Sequence, residues 1–231
     1  MAEKNLKLKA AECALSYVQS GMALGLGSGS TAAYFIELLG QRICSGSLQD
    51  IYAVPTSEET AGKARLAHIP LTSLDEHPFL DLAVDGADEV DPDLNLVKGL
   101  GKSLLREKIV EVHAKKLLII VDEAKLVPRL GTKGPLPVEI IPFEYGAHLR
   151  WLESLGCKAN LMLGKDDSPL VTDNGNYLAC CWFSNGIREP NSLARALADR
   201  PGIVEHGLFL NMAHQVIVSG TQGIRILGTS N

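Results

Sequence analysis

Short apolar segments alternate with helix-like segments along the first half of this chain. The apolar segments, each of strand length, lie at 22–28, 50–55, 81–86 and 117–122. Residues with the apolar spacing of a helix lie over 5–19, 30–40, 57–68 and 102–114. Strands that are apolar on both faces and alternate with helices are typical of a parallel sheet covered on both sides. The order predicts an α/β fold, with Ser30 and Ser57 as helix N-caps.

The pattern changes after Pro137. A strand, a helix, a pair of strands and a second helix are predicted over 137–143, 146–156, 161–183 and 191–199, with Asn174-Gly175 as a hairpin signal inside the pair. Two final strand-like segments, 214–220 and 223–228, are predicted to return to the first sheet. We therefore predict a mostly parallel sheet domain formed by 1–136 and 207–231, and a smaller α+β domain formed by 137–206.

Charge and cysteine content exclude several classes of protein. The chain has 22 Lys and Arg against 27 Asp and Glu, a net charge of −5, which argues against a dedicated binder of nucleic acid or acidic membranes. No run of about 18 apolar residues and no signal-peptide core occurs, so no membrane segment is predicted. Five cysteines without C-x-x-C spacing argue against a disulfide framework or a zinc site. We expect a soluble, cytoplasmic protein.

The segment GLGSGSTA at 25–32 lies between a predicted strand and a predicted helix. Its glycines permit close approach of a ligand to the backbone, and the helix N-terminus and hydroxyls favour an anion or a polyol. A tight turn with a capping serine is the plainer interpretation. The spacing of Gly27, Gly29 and Ala32 also fits a dinucleotide-binding pattern, but the second strand ends in Pro-Thr-Ser instead of the acid that a ribose requires.

Four acidic residues lie together where the third predicted strand ends: Asp85, Asp88, Glu89 and Asp91. Ligands of open α/β sheets bind outside such strand ends. Three interpretations stay open at this point. The carboxylates bind a cation such as Mg²⁺, they form a metal-free site in which Lys98 balances negative charge, or they belong to an acidic surface loop.

Glu107 lies on the predicted helix over 102–114. Its neighbours Leu105, Ile109 and Val112 have the spacing of a buried stripe, and Glu107 lies off that stripe. The spacing therefore predicts a solvated glutamate.

Taken together, these segments resemble the type A ribose-5-phosphate isomerases, aldose–ketose isomerases of the pentose phosphate pathway. The motifs that carry the resemblance are GLGSGSTA at 25–32, VDGADEVD at 84–91, KGLGKSLLREK at 98–108, GPLPVEIIP at 134–142 and VTDNGN at 171–176. They follow in order over most of the chain. Leu100 and Lys102 stand where the family's KGGGA pattern has small residues.

The resemblance implies a Rossmann-like domain with a smaller ferredoxin-like domain, a homodimer or dimer-based oligomer, a phosphosugar substrate and no cofactor or metal. It assigns the general base to Glu107, with Asp85, Asp88 and Lys98 as further catalytic residues. The substrate-binding residues that it implies are Lys7, Ser28, Gly29, Ser30, Thr31, Asp85, Gly86, Ala87, Asp88, Lys98, Gly99, Leu100, Gly101 and Lys133.

The reaction that the resemblance implies moves a proton between C1 and C2 through a cis-enediolate, which one carboxylate within reach of both carbons can catalyse. Two alternatives stay open. A non-catalytic sugar-phosphate sensor would need a DNA-binding unit, for which we expect too few residues before Met22. A nicotinamide dehydrogenase would need to bind its dinucleotide.

Overall fold

The computed structural model describes residues 2–228, with side chains from Lys4 onward. The helices are α1 (Ala2–Leu15), α2 (Ser30–Cys44), α3 (Glu58–Leu66), α4 (Leu104–Val112), α5 (Tyr145–Ser154) and α6 (Pro190–Ala198). The strands are β1 (Ala23–Leu26), β2 (Tyr52–Pro55), β3 (Leu82–Asp85), β4 (Glu89–Val90), β5 (Leu96–Val97), β6 (Leu117–Asp122), β7 (Leu136–Ile140), β8 (Lys158–Leu161), β9 (Tyr177–Trp182), β10 (Ile203–His206), β11 (Leu208–Phe209), β12 (Gln215–Gly220) and β13 (Gly223–Leu227).

Two compact units make up the structure. The first unit contains residues 1–87, 106–125 and 212–231, and the second contains 88–105 and 126–211. The predicted domains, 1–136 with 207–231 and 137–206, differ from this division, and their boundaries stay a prediction. Segments 88–105, 126–136 and 207–211 fall in the second unit. For the first and the last of these segments the reason is that β4, β5 and β11 pair with one another.

A six-stranded sheet forms the centre of the first unit, in the order β13-β12-β6-β3-β1-β2. Neighbouring strands are parallel except at the β12–β13 edge. Every residue of β1, β3, β6 and β12 is buried, as expected for strands covered on both faces. The predicted α/β class with a mostly parallel sheet is confirmed, and so is the return of the last two strands to this sheet.

The two predicted serine caps have different outcomes. Ser57 caps α3, because its Oγ accepts a hydrogen bond from the Thr60 N–H at 3.0 Å. The prediction for Ser30 is wrong, since Gly29 takes the N-cap position of α2 and Ser30 is the first helical residue. Gly29 has φ +92°, a conformation that glycine adopts without strain, and this lets the helix begin one residue earlier.

The second unit contains a four-stranded antiparallel sheet, β10-β7-β9-β8, and a three-stranded sheet, β11-β5-β4. Helix α5 packs against β8 and β9, and α6 packs against β10. The predicted strand pair within 161–183 is found only in part. β8 begins at Lys158, ends at Leu161 and pairs antiparallel with β9, whereas the segment between these two strands forms only the isolated bridges Leu163–Pro169 and Val171–Tyr177. The predicted hairpin turn is present, with the Gly175 N–H donating to the Thr172 carbonyl at 3.0 Å.

Within residues 2–228, none of the helices combines the length and the apolar character that crossing a membrane requires.

Asp81 joins two segments of the first unit. One carboxylate oxygen accepts a hydrogen bond from the Ala23 N–H at 2.9 Å, and the other accepts one from Lys115 Nζ at 2.9 Å. The lysine, with help from that N–H, lowers the pKa of the Asp81 carboxyl. A carboxyl with a lowered pKa in the folded state stabilises the fold above its ordinary pKa, and this stabilisation is lost as the pH falls through the lowered value.

We therefore predict that Asp81→Asn lowers the free energy of unfolding at pH 7 by about 1 kcal/mol or less, since the pair is partly exposed. The difference from the unsubstituted protein should close as the pH is lowered toward about 2. Thermal unfolding across this pH range measures it, with exposed Asp75→Asn as the control. If Asp81→Asn lowers the free energy of unfolding equally at pH 7 and at the lowest pH, the lowered pKa of Asp81 is contradicted.

Candidate active site

The glycine-rich loop at 25–31 lies at the position where open α/β sheets bind ligands. After β1 the chain continues to β2 on one side of it and then to β3 on the other, so the connection reverses direction at β1. The crevice at such a reversal, outside the carboxyl ends of the strands, is the usual ligand site. Gly25 also lets a helix approach, because a Cβ there would lie 2.8 Å from Cγ1 of Val110 on α4.

Asp85 is held directly against this loop. Its Oδ1 accepts hydrogen bonds from the Ser28 N–H at 3.0 Å and from the Gly86 N–H at 2.6 Å. The side chain is 1% exposed. A Cβ on Gly27 would lie only 2.1 Å from the Asp85 carboxyl carbon, so only glycine fits between the two segments. The sequence-predicted residues Ser28, Asp85 and Gly86 are thus brought together.

The N-terminus of α2 is the second feature of the loop. Ser30 is exposed and Thr31 is half-buried in its first turn, and the N-cap residue Gly29 has no side chain to satisfy the helix N–H groups. These N–H groups, the positive end of the helix dipole and the two hydroxyls suit an anion. Lys7 lies on α1, which packs against α2.

Glu107 is buried, which overturns the prediction from spacing. The buried face of α4 carries Leu104, Glu107, Val110 and Glu111, and Glu107 is 4% exposed. Of the three residues assigned to a buried stripe, Leu105 is partly buried, and Ile109 and Val112 are 44% and 62% exposed. Two buried carboxylates on one face of a nine-residue helix do not follow from apolar packing, and they indicate a polar site.

An ion pair of Arg106, the residue before Glu107, shows where the first turn of α4 lies relative to the sheet. Arg106 donates a hydrogen bond to Glu58 at 2.8 Å, and Glu58 is the first residue of α3, just past the carboxyl end of β2. This exposed ion pair therefore lies at the same edge of the sheet as the glycine-rich loop and Asp85. The first turn of α4, which contains Glu107, therefore lies near that edge.

In the second unit, Asp88 and Lys98 lie on the small sheet. The Asp88 N–H donates to the Val97 carbonyl at 2.8 Å, and the Asp88 carboxylate accepts from the Leu100 N–H at 3.0 Å. Lys98 is 2% exposed, and its ammonium lies 5.3 Å from the centre of the Phe209 ring. Asp88 thus binds the backbone of the loop that begins at Lys98.

The loop after Lys98 is tightly shaped. Gly99 has φ +108°, and a Cβ there would lie 2.7 Å from Leu104 Cβ. Lys102, at one of the positions that depart from the family pattern, has φ +64°, and its N–H donates to the Gly99 carbonyl at 2.9 Å. Lys102 therefore adopts a backbone conformation that only glycine would adopt without strain.

The backbone of Lys133 is hydrogen-bonded to Glu89, a residue for which the sequence analysis predicted no individual role. Glu89 is 1% exposed, and its carboxylate accepts hydrogen bonds from the N–H groups of Gly131, Lys133 and Gly134. The exposed Lys133 side chain donates to the Leu126 carbonyl at 2.9 Å. Glu89 thus fixes the 131–134 loop from within the second unit.

The cluster of four acids has a local explanation. Asp85, Asp88 and Glu89 each accept backbone N–H groups of a different loop, and Asp91 accepts those of Asp93 and Asn95 at 3.0 and 2.8 Å. Oriented N–H donors stabilise carboxylates in the way that a cation would. Among the residues that the structure describes, no three His, Cys, Asp or Glu side chains form a group suited to a metal ion.

Comparison with known proteins identifies the family. The family model for ribose 5-phosphate isomerase A (phosphoriboisomerase A) matches residues 52–223. The ribose-5-phosphate isomerase A of Roseiflexus castenholzii is 49% identical over 216 residues, which cover 94% of this chain and 92% of that protein. The chain belongs to the ribose 5-phosphate isomerase A family.

Solved structures of the family have the same fold. A D-ribose-5-phosphate isomerase in complex with phospho-erythronic acid has a TM-score of 0.96 and 42% identity, covering 99% of this chain and 100% of that one. Ribose 5-phosphate isomerase A of Methanocaldococcus jannaschii has a TM-score of 0.93 and 41% identity, covering 98% and 100% of the two chains. The chain is therefore an isomerase enzyme, and the dehydrogenase and sensor interpretations are set aside.

Three residues near the loop were not singled out from the sequence as part of the site. Thr56, Ser57 and Thr60, at the end of β2 and the start of α3, place their hydroxyls within 2.8–3.1 Å of the Ser28 hydroxyl. Their position after the strand that neighbours β1 is the signal that could have identified them, since adjacent parallel strands end at the same edge.

For this isomerase we predict that Gly27→Ala is severely damaging. The new methyl group would overlap the Asp85 carboxylate, and such overpacking costs about 1–3 kcal/mol of stability. Thermal unfolding should show this loss, and the catalytic activity should fall with it because Asp85 must move.

The matched control is Gly62→Ala on α3, where a Cβ meets nothing within 4 Å. It should be neutral or raise the stability by up to about 1 kcal/mol, the helix preference for Ala over Gly. If Gly27→Ala and Gly62→Ala have the same thermal stability and the same activity, the close approach of Gly27 to Asp85 is contradicted.

Proposed function

We propose that this protein interconverts D-ribose 5-phosphate and D-ribulose 5-phosphate through a cis-enediolate, with Glu107 as the general base. The burial of Glu107 carries the proposal, because this carboxylate lies on the first turn of α4, next to Arg106, whose ion pair with Glu58 is at the sheet edge of Asp85 and the glycine-rich loop. The relatives named as ribose-5-phosphate isomerases support the substrate. So does the solved relative with phospho-erythronic acid, which combines a phosphate with a sugar-acid chain.

Substrate binding is assigned to groups remote from the reacting carbons. The phosphate is held by the α2 N-terminus with Ser30 and Thr31, and by Lys7. Lys133 is assigned to the same phosphosugar. Binding energy spent on the phosphate fixes the position of C1 and C2 relative to the base, which converts an encounter into an ordered proton transfer.

The chemical step is a proton transfer between adjacent carbons. From the open-chain aldose, the Glu107 carboxylate removes the C2 proton, the C–H electron pair forms the C1–C2 double bond, and the carbonyl π electrons move to O1. A proton then passes from the C2 hydroxyl to O1. As C2 becomes the carbonyl, Glu107 returns its proton to C1, giving the ketose. A single carboxylate serves both carbons because they are bonded neighbours.

The remaining catalytic residues act on charge and hydroxyl protons. Lys98 and the N–H groups of residues 99–101 stabilise the oxygen that becomes negative. Asp85, fixed by Ser28 and Gly86, moves the hydroxyl proton and assists the opening of the furanose ring. Asp88 orients the loop through its bond to Leu100.

The rest of the assignment follows the family resemblance. We propose a cytoplasmic enzyme of the pentose phosphate pathway that works without a cofactor, as a homodimer or a dimer-based oligomer.

The direct test is to incubate the purified, EDTA-treated protein with ribose 5-phosphate and to measure ribulose 5-phosphate. Formation of the ketose without added metal supports the proposal. No conversion by a folded protein would contradict the substrate assignment, and activity that requires a divalent ion would contradict the metal-free mechanism.

We predict that Glu107→Gln lowers kcat by at least about 10²–10⁴-fold, the usual scale of general acid–base catalysis, because the amide cannot accept the proton. KM should change little, since the phosphate-binding groups are untouched. Steady-state kinetics with ribose 5-phosphate measures both values.

Glu111→Gln is the matched control, because Glu111 is a second buried carboxylate on the same face of α4 and is 3% exposed. It should retain kcat within about threefold if only Glu107 carries the proton. If both variants lose kcat equally, a structural effect on α4 explains the loss and the base assignment fails.

A further inference from the structure

Four hydroxyl groups form a compact cluster beneath the glycine-rich loop. The cluster consists of Ser28, Thr56, Ser57 and Thr60, and the last three are at most 4% exposed. The Ser28 Oγ lies 2.8 Å from Thr56 Oγ1, 2.9 Å from Ser57 Oγ and 3.1 Å from Thr60 Oγ1. Ser57 and Thr60 are themselves 3.0 Å apart. Each hydroxyl has one proton, so the bonds constrain one another.

Because each hydroxyl donates only one proton, the donor and the acceptor of each hydrogen bond in the cluster can be assigned. Thr60 donates to the Gly27 carbonyl at 3.0 Å, so its own proton is used there. Ser57 donates to Thr60, and Ser28 donates to Ser57. The Ser28 proton is then also used, which leaves Thr56 as the donor to Ser28. The hydroxyl cluster is therefore a chain of donors that starts at Thr56 and ends on the Gly27 carbonyl.

The end of this chain is the peptide that supports Asp85. The Gly27 N–H donates to the Val84 carbonyl at 2.9 Å, and the Ser28 N–H donates to Asp85 Oδ1 at 3.0 Å. Thr60 fixes the carbonyl oxygen of the same Gly27–Ser28 peptide, which no element of the sheet holds. Because the next residues are Gly29, Ser30 and Thr31, the direction of this peptide sets where the hydroxyl-bearing turn of α2 begins.

Capping of α3 does not account for Thr60. The cap is formed by Ser57 Oγ and the Thr60 backbone N–H, and it does not involve the Thr60 hydroxyl. A buried valine would fill the same position on the helix without a polar group. The hydroxyl is explained by its bond to Gly27.

We propose that Thr60 is a positioning residue, which holds the Gly27 carbonyl so that residues 29–31 are set in place for the phosphate of the substrate. The inference rests on the proposed function, in which Ser30 and Thr31 bind that phosphate. It assigns Thr60 no contact with the reacting carbons. Removing its hydroxyl should therefore weaken binding of the phosphate and spare the proton transfer.

The test is Thr60→Val, which keeps the shape and removes the hydroxyl. KM for ribose 5-phosphate should rise about tenfold, because a buried carbonyl loses its donor, and kcat should stay within about threefold. The inhibition constant of inorganic phosphate, measured as a competitive inhibitor, should rise by a similar factor. Thr60→Ser, which restores the hydroxyl, should return both constants to within about threefold of the unsubstituted enzyme.

Two further variants distinguish positioning from general damage. Thr56→Val removes the first donor and leaves the bond to Gly27 intact, so its KM should rise less than that of Thr60→Val. Thr72→Val removes a hydroxyl of the same unit that binds Glu76, and it should leave both constants unchanged. If Thr60→Val does not fold, Thr60→Ala, which also removes the hydroxyl, carries the test.

The inference is overturned if Thr60→Val keeps the KM and phosphate inhibition of the unsubstituted enzyme, if it loses kcat instead, or if Thr60→Ser is equally impaired. When Thr60→Val does not fold, a Thr60→Ala enzyme with unchanged constants overturns it. Inactivity of the unsubstituted protein toward ribose 5-phosphate would instead contradict the proposed function, so the two failures are distinguishable.

Discussion

The close approach of Gly27 to Asp85 is the constraint on which the first unit's part of the site depends. Parallel pairing of β1 with β3 brings the end of one strand beside the end of the other, and the missing side chain at Gly27 lets the two backbones meet. The Ser28 N–H then reaches the Asp85 carboxylate, and the chain continues directly into α2. One glycine thus links a buried carboxylate to the N-terminus of α2, and a side chain of any size would separate them.

The parallel sheet could be predicted because its strands carry no polar face. β1, β3 and β6 are buried throughout, and such segments are recognisable in the sequence without knowledge of their partners. The helix N-caps were harder to predict from the sequence than the sheet. Ser57 and Ser30 both precede helix-like segments, but only Ser57 is a cap, since Gly29 adopts a positive φ and takes the other position. Backbone freedom at a glycine decided where that helix begins.

Glu107 shows where sequence patterns stop being informative. Apolar spacing assigned the buried face of α4 to Ile109 and Val112, whereas the structure buries Glu107 and Glu111. A carboxylate is buried only when the surrounding fold supplies polar groups or a function requires it, and the spacing within one helix contains neither piece of information. The family resemblance pointed to Glu107 as the base, and this role stays a proposal, which the burial of the carboxylate supports.

Proton exchange with solvent tests the proposed mechanism most directly. The unsubstituted enzyme should be brought to equilibrium with ribose 5-phosphate in D₂O, and both sugars analysed by NMR. Transfer through Glu107 and an enediolate predicts deuterium at C1 of ribulose 5-phosphate and at C2 of ribose 5-phosphate, because the proton held on the Glu107 carboxyl exchanges with solvent while the enediolate is bound. Complete retention of protium at both carbons after many turnovers would show a direct hydrogen shift and would contradict a glutamate base.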